Sequence, residues 1–381
     1  MMSLPLKKLL LGILALCLLA ACSATPTPSP YPDTPEPVEL NAPIVQNPAL
    51  IYIRFLNELD GWGVTPNEIV RTNDGGLTWY NLTPNGLTEV GYRVHISVLD
   101  TNHVWIQQAS STGEQNSGIL YATQDGGRSW ASYITPFSDG YLRFVDAEHG
   151  WMLAGLGAGM GSQAVAVFRT RDGGRNWAMT FSNDPTLANS GQSLPLGGLK
   201  NGLTALDADT AWVFGVTYAP GYVYLFKTVD GGENWAQQSL PLPAGADQAE
   251  LVFDQLTFVS PNDAFLAVVL AGNETQLAVY VSHDAGQTWT LTPTLMPHAR
   301  AYDFTSSQDA IVYDGDQFYV TRDGAQTWTT VSPDIKFGEN WAGMEFVNAQ
   351  SGWVLSEDPT NGQRTLYRTT DGGASWTPIV R

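Results

Sequence analysis

An aspartate recurs at one fixed place in seven short segments of this 381-residue chain. A carboxylate repeated in this way is a candidate for acid–base catalysis, for metal binding or for holding a turn. The segments are TNDGGLTW (72–79), TQDGGRSW (123–130), TRDGGRNW (170–177), TVDGGENW (228–235), SHDAGQTW (282–289), TRDGAQTW (321–328) and TTDGGASW (369–376). Their aspartates, Asp74, Asp125, Asp172, Asp230, Asp284, Asp323 and Asp371, lie 51, 47, 58, 54, 39 and 48 residues apart. A side chain present in every unit of a repeat belongs to the architecture of the unit. Here the physics is local, because the carboxylate can accept turn amides while the glycine pair supplies the positive φ values of a tight hairpin. The seven are therefore read as structural staples, not as catalytic or metal-binding groups. In the sixth segment Ala325 replaces the second glycine, which predicts either a strained turn or a different φ.

The remaining chemistry-bearing residues form no constellation. His95, His103, His149, His283 and His298 lack metal-ligand spacing. GLGAGMG (155–161) lacks the spacing of a dinucleotide fingerprint and is expected to be a flexible loop. No GxSxG elbow is present. No metal and no cofactor is implied. Acids outnumber bases 37 to 18, so counting does not exclude a glycosidase pair, but nothing singles one out.

The elements that carry the repeated aspartates are marked by a second repeat. An apolar residue is followed seven positions later by Trp or a large apolar substitute at Phe55/Trp62, Val98/Trp105, Phe144/Trp151, Ala205/Trp212, Phe258/Phe265, Phe304/Ile311 and Phe346/Trp353. This reads as strand one, a short turn and strand two, with the aspartate segment joining strands three and four. Seven such units over 49–381 predict an all-β, seven-bladed β-propeller of four-stranded antiparallel blades. Twelve of the thirteen tryptophans belong to the repeat, which leaves Trp341 as the one free for stacking on a ligand. The last unit ends soon after its aspartate segment, so closure of the ring has two readings. Either Val38–Val45 adds an edge strand to the last blade, which is favoured, or the first and last blades pack directly.

Alternating strand directions sort the loops onto two faces. The turns between strands one and two and the aspartate segments share a face and barely vary in length. On the opposite face, the interval from the Trp position to the aspartate runs from 12 to 21 residues, and that from the segment's Trp to the next strand one runs from 14 to 28. Binding loops are expected there, with Gln107–Ser117, Ala154–Gln163, Ser182–Gly197 and Ser356–Arg364 as candidates. The central channel is a second candidate. Residues two before each apolar marker (Ile53, Ile96, Leu142, Leu203, Leu256, Tyr302, Met344) should pack between blades, whereas those one before (Arg54, Ser97, Arg143, Thr204, Thr257, Asp303, Glu345) form a polar set near the axis. Arg54, Arg143, Asp303, Glu345 and Trp341 are the candidate ligand residues.

Residues 1–21 carry Lys7 and Lys8 and then an apolar run, Leu9–Leu19, too short to span a membrane. The run leads into Leu19-Ala20-Ala21-Cys22, which resembles the lipobox of bacterial lipoproteins. The resemblance implies cleavage before Cys22, lipidation of its thiol and export, and Ser23 points to the outer membrane or cell surface. Residues 22–48 then comprise the lipidated cysteine, a Pro/Thr/Ser-rich tether and the candidate closing strand. Cys17 leaves with the signal, so no disulfide is expected. Loss of the two lysines leaves 16 bases against 37 acids, a balance that argues against nucleic acid or anionic lipid as partners. The membrane is therefore reached through the lipid alone, and the domain is expected to be monomeric.

The seven segments resemble the Asp boxes of sialidases, sortilin, xyloglucanases and photosystem assembly factors. Sialidases place them on six blades with an Arg-Ile-Pro motif that Tyr52-Ile53-Arg54-Phe55 does not match. Xyloglucanases join two propellers in a longer chain, and sortilin has a larger ring with a cysteine-rich module. One ring, FVDAEHGW-type strand pairs (144–151) and TxDGGxxW boxes are most similar to the photosystem II assembly factor family. That family presents an arginine patch to its client. Here only Arg54, Arg93, Arg143 and Arg300 lie near strand one of an acidic molecule. The function expected is a non-enzymatic binding or assembly scaffold for a protein or glycan partner. The alternative is a carbohydrate-active enzyme using Asp303 and Glu345 with Trp341 as stacking residue.

Overall fold

The computed structural model describes residues 41–109, 117–187, 189–272, 274–338 and 340–379, which belong to one compact unit. Cys22, the signal, the tether and most of the 107–117 candidate loop lie outside the described residues.

Each repeat folds as its spacing requires. In the first blade Tyr52–Phe55, Gly61–Val64, Ile69–Thr72 and Trp79–Asn81 pair antiparallel in chain order. Six further sheets follow the same order, giving a seven-bladed β-propeller. Their innermost strands are Val94–Val98, Gly140–Phe144, Leu199–Ala205, Glu250–Phe258, Ala301–Phe304 and Trp341–Phe346. The seven-residue offset becomes a register: Arg54, Ser97, Arg143, Thr204, Thr257, Asp303 and Glu345 each lie opposite the Trp-position residue of strand two. Second strands are covered on both faces by neighbouring blades. They therefore read as apolar runs, such as Ala211-Trp212-Val213-Phe214, instead of alternating.

In five of the seven blades a strand-two tryptophan packs at the junction with the next blade. Trp105 stacks on Phe144 at 3.7 Å between ring centroids and donates its indole N–H to the Gly173 carbonyl at 3.0 Å. Trp353 does the same across the ring closure, on Phe55 at 3.7 Å and to Gly75 at 3.0 Å. The first and last blades thus meet through the same side-chain contact as the second and third. The favoured edge-strand reading is corrected, because Ile44–Val45 pairs with Trp79–Asn81 and extends the first blade to five strands. The outer edge of the last blade is filled by Thr377–Ile379, so that blade leaves no gap for another segment.

Two local expectations are also revised. GLGAGMG is not a loop. His149–Gly159 and Ser162–Arg171 form a long hairpin through it, with a bulge at Leu156 and positive φ at both turn residues, Met160 (50°) and Gly161 (76°). Two consecutive residues with φ > 0 give a two-residue turn whose twist suits the strands on either side. In the sixth aspartate segment Ala325 keeps the left-handed φ (64°), so the turn carries the strain. Ala285, in the fifth segment, takes the same conformation (58°), a substitution the sequence reading passed over.

Candidate functional site

The seven aspartates staple turns. Asp74 accepts the Thr78 amide at 2.8 Å and the Thr72 hydroxyl at 2.9 Å, while Thr72 Oγ1 accepts the Gly76 amide at 2.9 Å. The same pattern closes Asp172, where the Asn176 amide and side chain donate at 2.9 and 2.7 Å. At Asp284 burial opposes ionisation, but donors from Thr288, Ser282 and Gln287 outweigh it and bring the carboxyl down to about 2. Asp323 reaches about 2 through donors from Thr327, Thr321 and Gln326. Among the described residues no cluster of three or more His, Cys, Asp or Glu could hold a metal ion.

Four basic residues that the sequence reading missed serve the same architecture. Arg71, Arg169, Lys227 and Arg368 lie over the rings of Trp62, Trp151, Trp212 and Trp353, 4.7–5.5 Å from their centroids. Three of them also donate to the next blade: Arg71 to the Gly126 carbonyl at 2.9 Å, Arg169 to Asp209 at 2.6 Å and Lys227 to the Gly286 carbonyl at 3.5 Å. The signal was present in the sequence as a basic residue directly before the threonine of those four segments.

The polar ring around the channel is largely structural as well. Ser97 Oγ accepts the Phe144 amide at 3.0 Å, and the Thr204 hydroxyl donates to the Leu256 carbonyl at 2.8 Å. Asp303 accepts the amides of Phe346 at 2.7 Å and Phe304 at 2.9 Å. Gln255 donates to Thr257 at 2.9 Å, and Arg54 pairs with Glu345 across the junction of the first and last blades. Removal from water pushes Glu345 up to about 8, which Arg54 only partly offsets. Burial also raises Asp303, against its two amides and Arg54. Arg143 differs from the rest in having no hydrogen-bond or ion-pair partner among the described residues. Burial and the nearby Arg54 lower its pKa, and Tyr52 opposes them. In the layer packed between blades, Ile53, Leu142, Leu203 and Leu256 are buried, while Ile96, Met344 and Tyr302 are half-buried, and the Tyr302 hydroxyl donates to Asp254.

Trp341 is not brought to these carboxylates. With Tyr92, Asn340 and Pro359 it lines a separate cavity of about 280 Å³, where Arg364 bonds Glu357 at 2.6 Å and the Tyr92 hydroxyl at 2.9 Å. The variable face carries the hairpin of the third blade. Its tip presents Met160 at 105 % relative exposure, and Tyr218, 68 % exposed, lies so near that a Cβ on Gly161 would sit 3.0 Å from its ring.

Comparison with known proteins gives partial matches in sequence and fuller ones in structure. The model of the Sortilin-Vps10 family (sortilin, neurotensin receptor 3) matches residues 277–381. A xyloglucanase of Hypocrea jecorina is 26 % identical over 188 residues, covering 41 % of this chain and 22 % of the enzyme. The chain thus spans about a fifth of the length of the curated relative it matches. Two families set aside on their architecture, the xyloglucanases for a second propeller in a longer chain and sortilin for a larger ring with a cysteine-rich module, therefore match parts of the chain. Among solved structures, YCF48 bound to D1 peptide superposes with a TM-score of 0.53 at 18 % identity, covering 89 % of this chain and 99 % of that one. YCF48 from Cyanidioschyzon merolae gives 0.55 at 17 %, covering 86 % and 97 %. The GH74 xyloglucanase from Xanthomonas campestris gives 0.58 at 14 %, covering 89 % and 55 %. At these identities what the likenesses establish is the seven-bladed β-propeller fold.

Proposed function

We propose that this chain is a non-enzymatic binding scaffold, exported and held at the outer membrane or cell surface by a lipid on Cys22, that captures a protein partner on its variable-loop face. The observation that carries the reading is the hairpin tip. A fully exposed methionine in a left-handed conformation is costly for folding, and such strain collects at functional positions. Beside Tyr218 it forms an apolar knob on an acidic molecule, suited to a partner's pocket. The YCF48 structure with a bound D1 peptide lends this reading a precedent on the same fold.

Co-purification from detergent-solubilised membranes tests it. The wild-type chain should retain a protein that a Met160→Asp/Tyr218→Ala variant loses. Identical co-purifying proteins from both would remove the proposal.

A second reading, action on carbohydrate, is supported by the cavity of Trp341 and Tyr92 and by the partial xyloglucanase match. The carboxylates it would use are engaged in joining blades. Incubation with polysaccharide and sialoside panels should therefore yield no hydrolysis. Turnover abolished by Asp303→Asn would reverse the preference.

A further inference from the structure

We propose that the central channel holds a binding site for a small carboxylate anion, built from Arg143 with the Tyr52 hydroxyl. This inference is independent of the partner surface on the hairpin.

The argument is one of elimination within the ring of seven equivalent positions. Six are engaged: Arg54 with Glu345, Ser97 with an amide of the next blade, Thr204 with a carbonyl of the next blade, Thr257 with Gln255, and Asp303 with two amides. Arg143 alone has no acceptor among the described residues, although a guanidinium carries five donors. Tyr52, three residues before the marker of the first blade, likewise has a hydroxyl with no hydrogen-bond partner among the described residues. Each lies within electrostatic reach of the other and of Arg54. All three side chains touch solvent although their strands are innermost, so the water they meet is that of the channel.

The charges facing Arg143 do not neutralise it. Arg54 already donates to Glu345, and the Asp303 carboxyl is turned onto the amides of Phe346 and Phe304, so neither acid is free to meet Arg143. One positive charge remains in a protein-walled space, where electrostatic attraction exceeds that in bulk water. A planar fork of donors beside a hydroxyl fits a carboxylate, which takes two parallel N–H bonds from a guanidinium and a third from the phenol. A cation kept without an internal partner is a cost to folding that a bound anion would offset.

The test is calorimetric titration of the full chain in detergent with acetate and with lactate, using sulfate as the comparison anion. Saturable binding of a carboxylate is expected by concentrations on the order of tens of millimolar. Arg143→Gln should weaken it about tenfold or more, the loss expected with a charge-assisted contact, and Tyr52→Phe should weaken it less. Arg175→Gln, on the exposed aspartate-segment face, should leave it unchanged. Without ligand, Arg143→Gln should melt at or above the wild-type temperature, because it removes an unmatched charge. Absence of saturable binding, equal binding of sulfate, or a clear fall in the ligand-free melting temperature of Arg143→Gln would each overturn the proposal.

Discussion

At the scale of single residues, the molecule uses carboxylates in two opposite ways. Asp125, Asp172, Asp230, Asp284, Asp323 and Asp371 are surrounded by donors that favour the charged form, which brings Asp284 and Asp323 down to about 2. A folded pKa below the unfolded value stabilises at pH above the unfolded value, and this contribution disappears as pH falls through the folded one. Stability should therefore drop between about pH 4 and 2. Replacing Asp172 by Ala should cost about 1–2 kcal/mol in denaturant unfolding at neutral pH, because the Asn176 amide and side chain lose their acceptor. Glu345 behaves in reverse. Its carboxyl is raised from 4.5 to about 8, so the folded state binds the proton more tightly than the unfolded chain. Stability should fall as pH rises from about 4.5 to 8 and level off above, and Glu345→Gln should remove that slope. A pH-independent difference between wild type and variant across this window would contradict the assignment. The roles of the aspartates were legible in the sequence because their donors lie within four residues. That Asp303 is tied to the seventh blade, and that Arg143 has no partner among the described residues, depends on groups more than forty residues away and was not.

At the scale of elements, the hairpin of the third blade shows why glycine content misled. Four of the seven residues of GLGAGMG are glycine and none is β-branched or aromatic, a composition that suggests a loop. Yet two glycines serve the ribbon's geometry, Gly157 just beyond the bulge with φ 133° and Gly161 in the turn, and the backbone pairing does the rest. Met160 is the exception, since a methionine at φ 50° costs more than a glycine would. Met160→Gly should raise stability by roughly 0.5–1 kcal/mol while weakening partner capture. Thermal unfolding and co-purification on the same variant check both parts, and a loss of stability would show that the side chain packs in the folded state. The basic residues over the strand-two tryptophans were visible as a repeat in four segments of seven. Their purpose was not, because a clamp between blades is only apparent once the neighbouring turn is in place.

At the scale of the whole domain, ring closure was the part least accessible from sequence. A two-residue strand carries almost no periodic signal, and either edge blade offered an open side to it. The outcome is a ring whose closure is made by Trp353, Phe55 and Gly75 in the same way that Trp105, Phe144 and Gly173 make an internal junction. Trp353→Ala and Trp105→Ala should consequently destabilise to a similar extent, about 3–5 kcal/mol each. A much milder effect at Trp353 would mean that another contact carries the closure. The short strand Ile44–Val45 then has a mechanical meaning. A pull arriving from the N-terminal side of the domain is met first by two backbone pairings, Ile44 with Tyr80 and Val45 with Trp79. These can part like a clasp while the blade behind them keeps its own four strands, so tension reaching Ile44 need not become strain in the wheel.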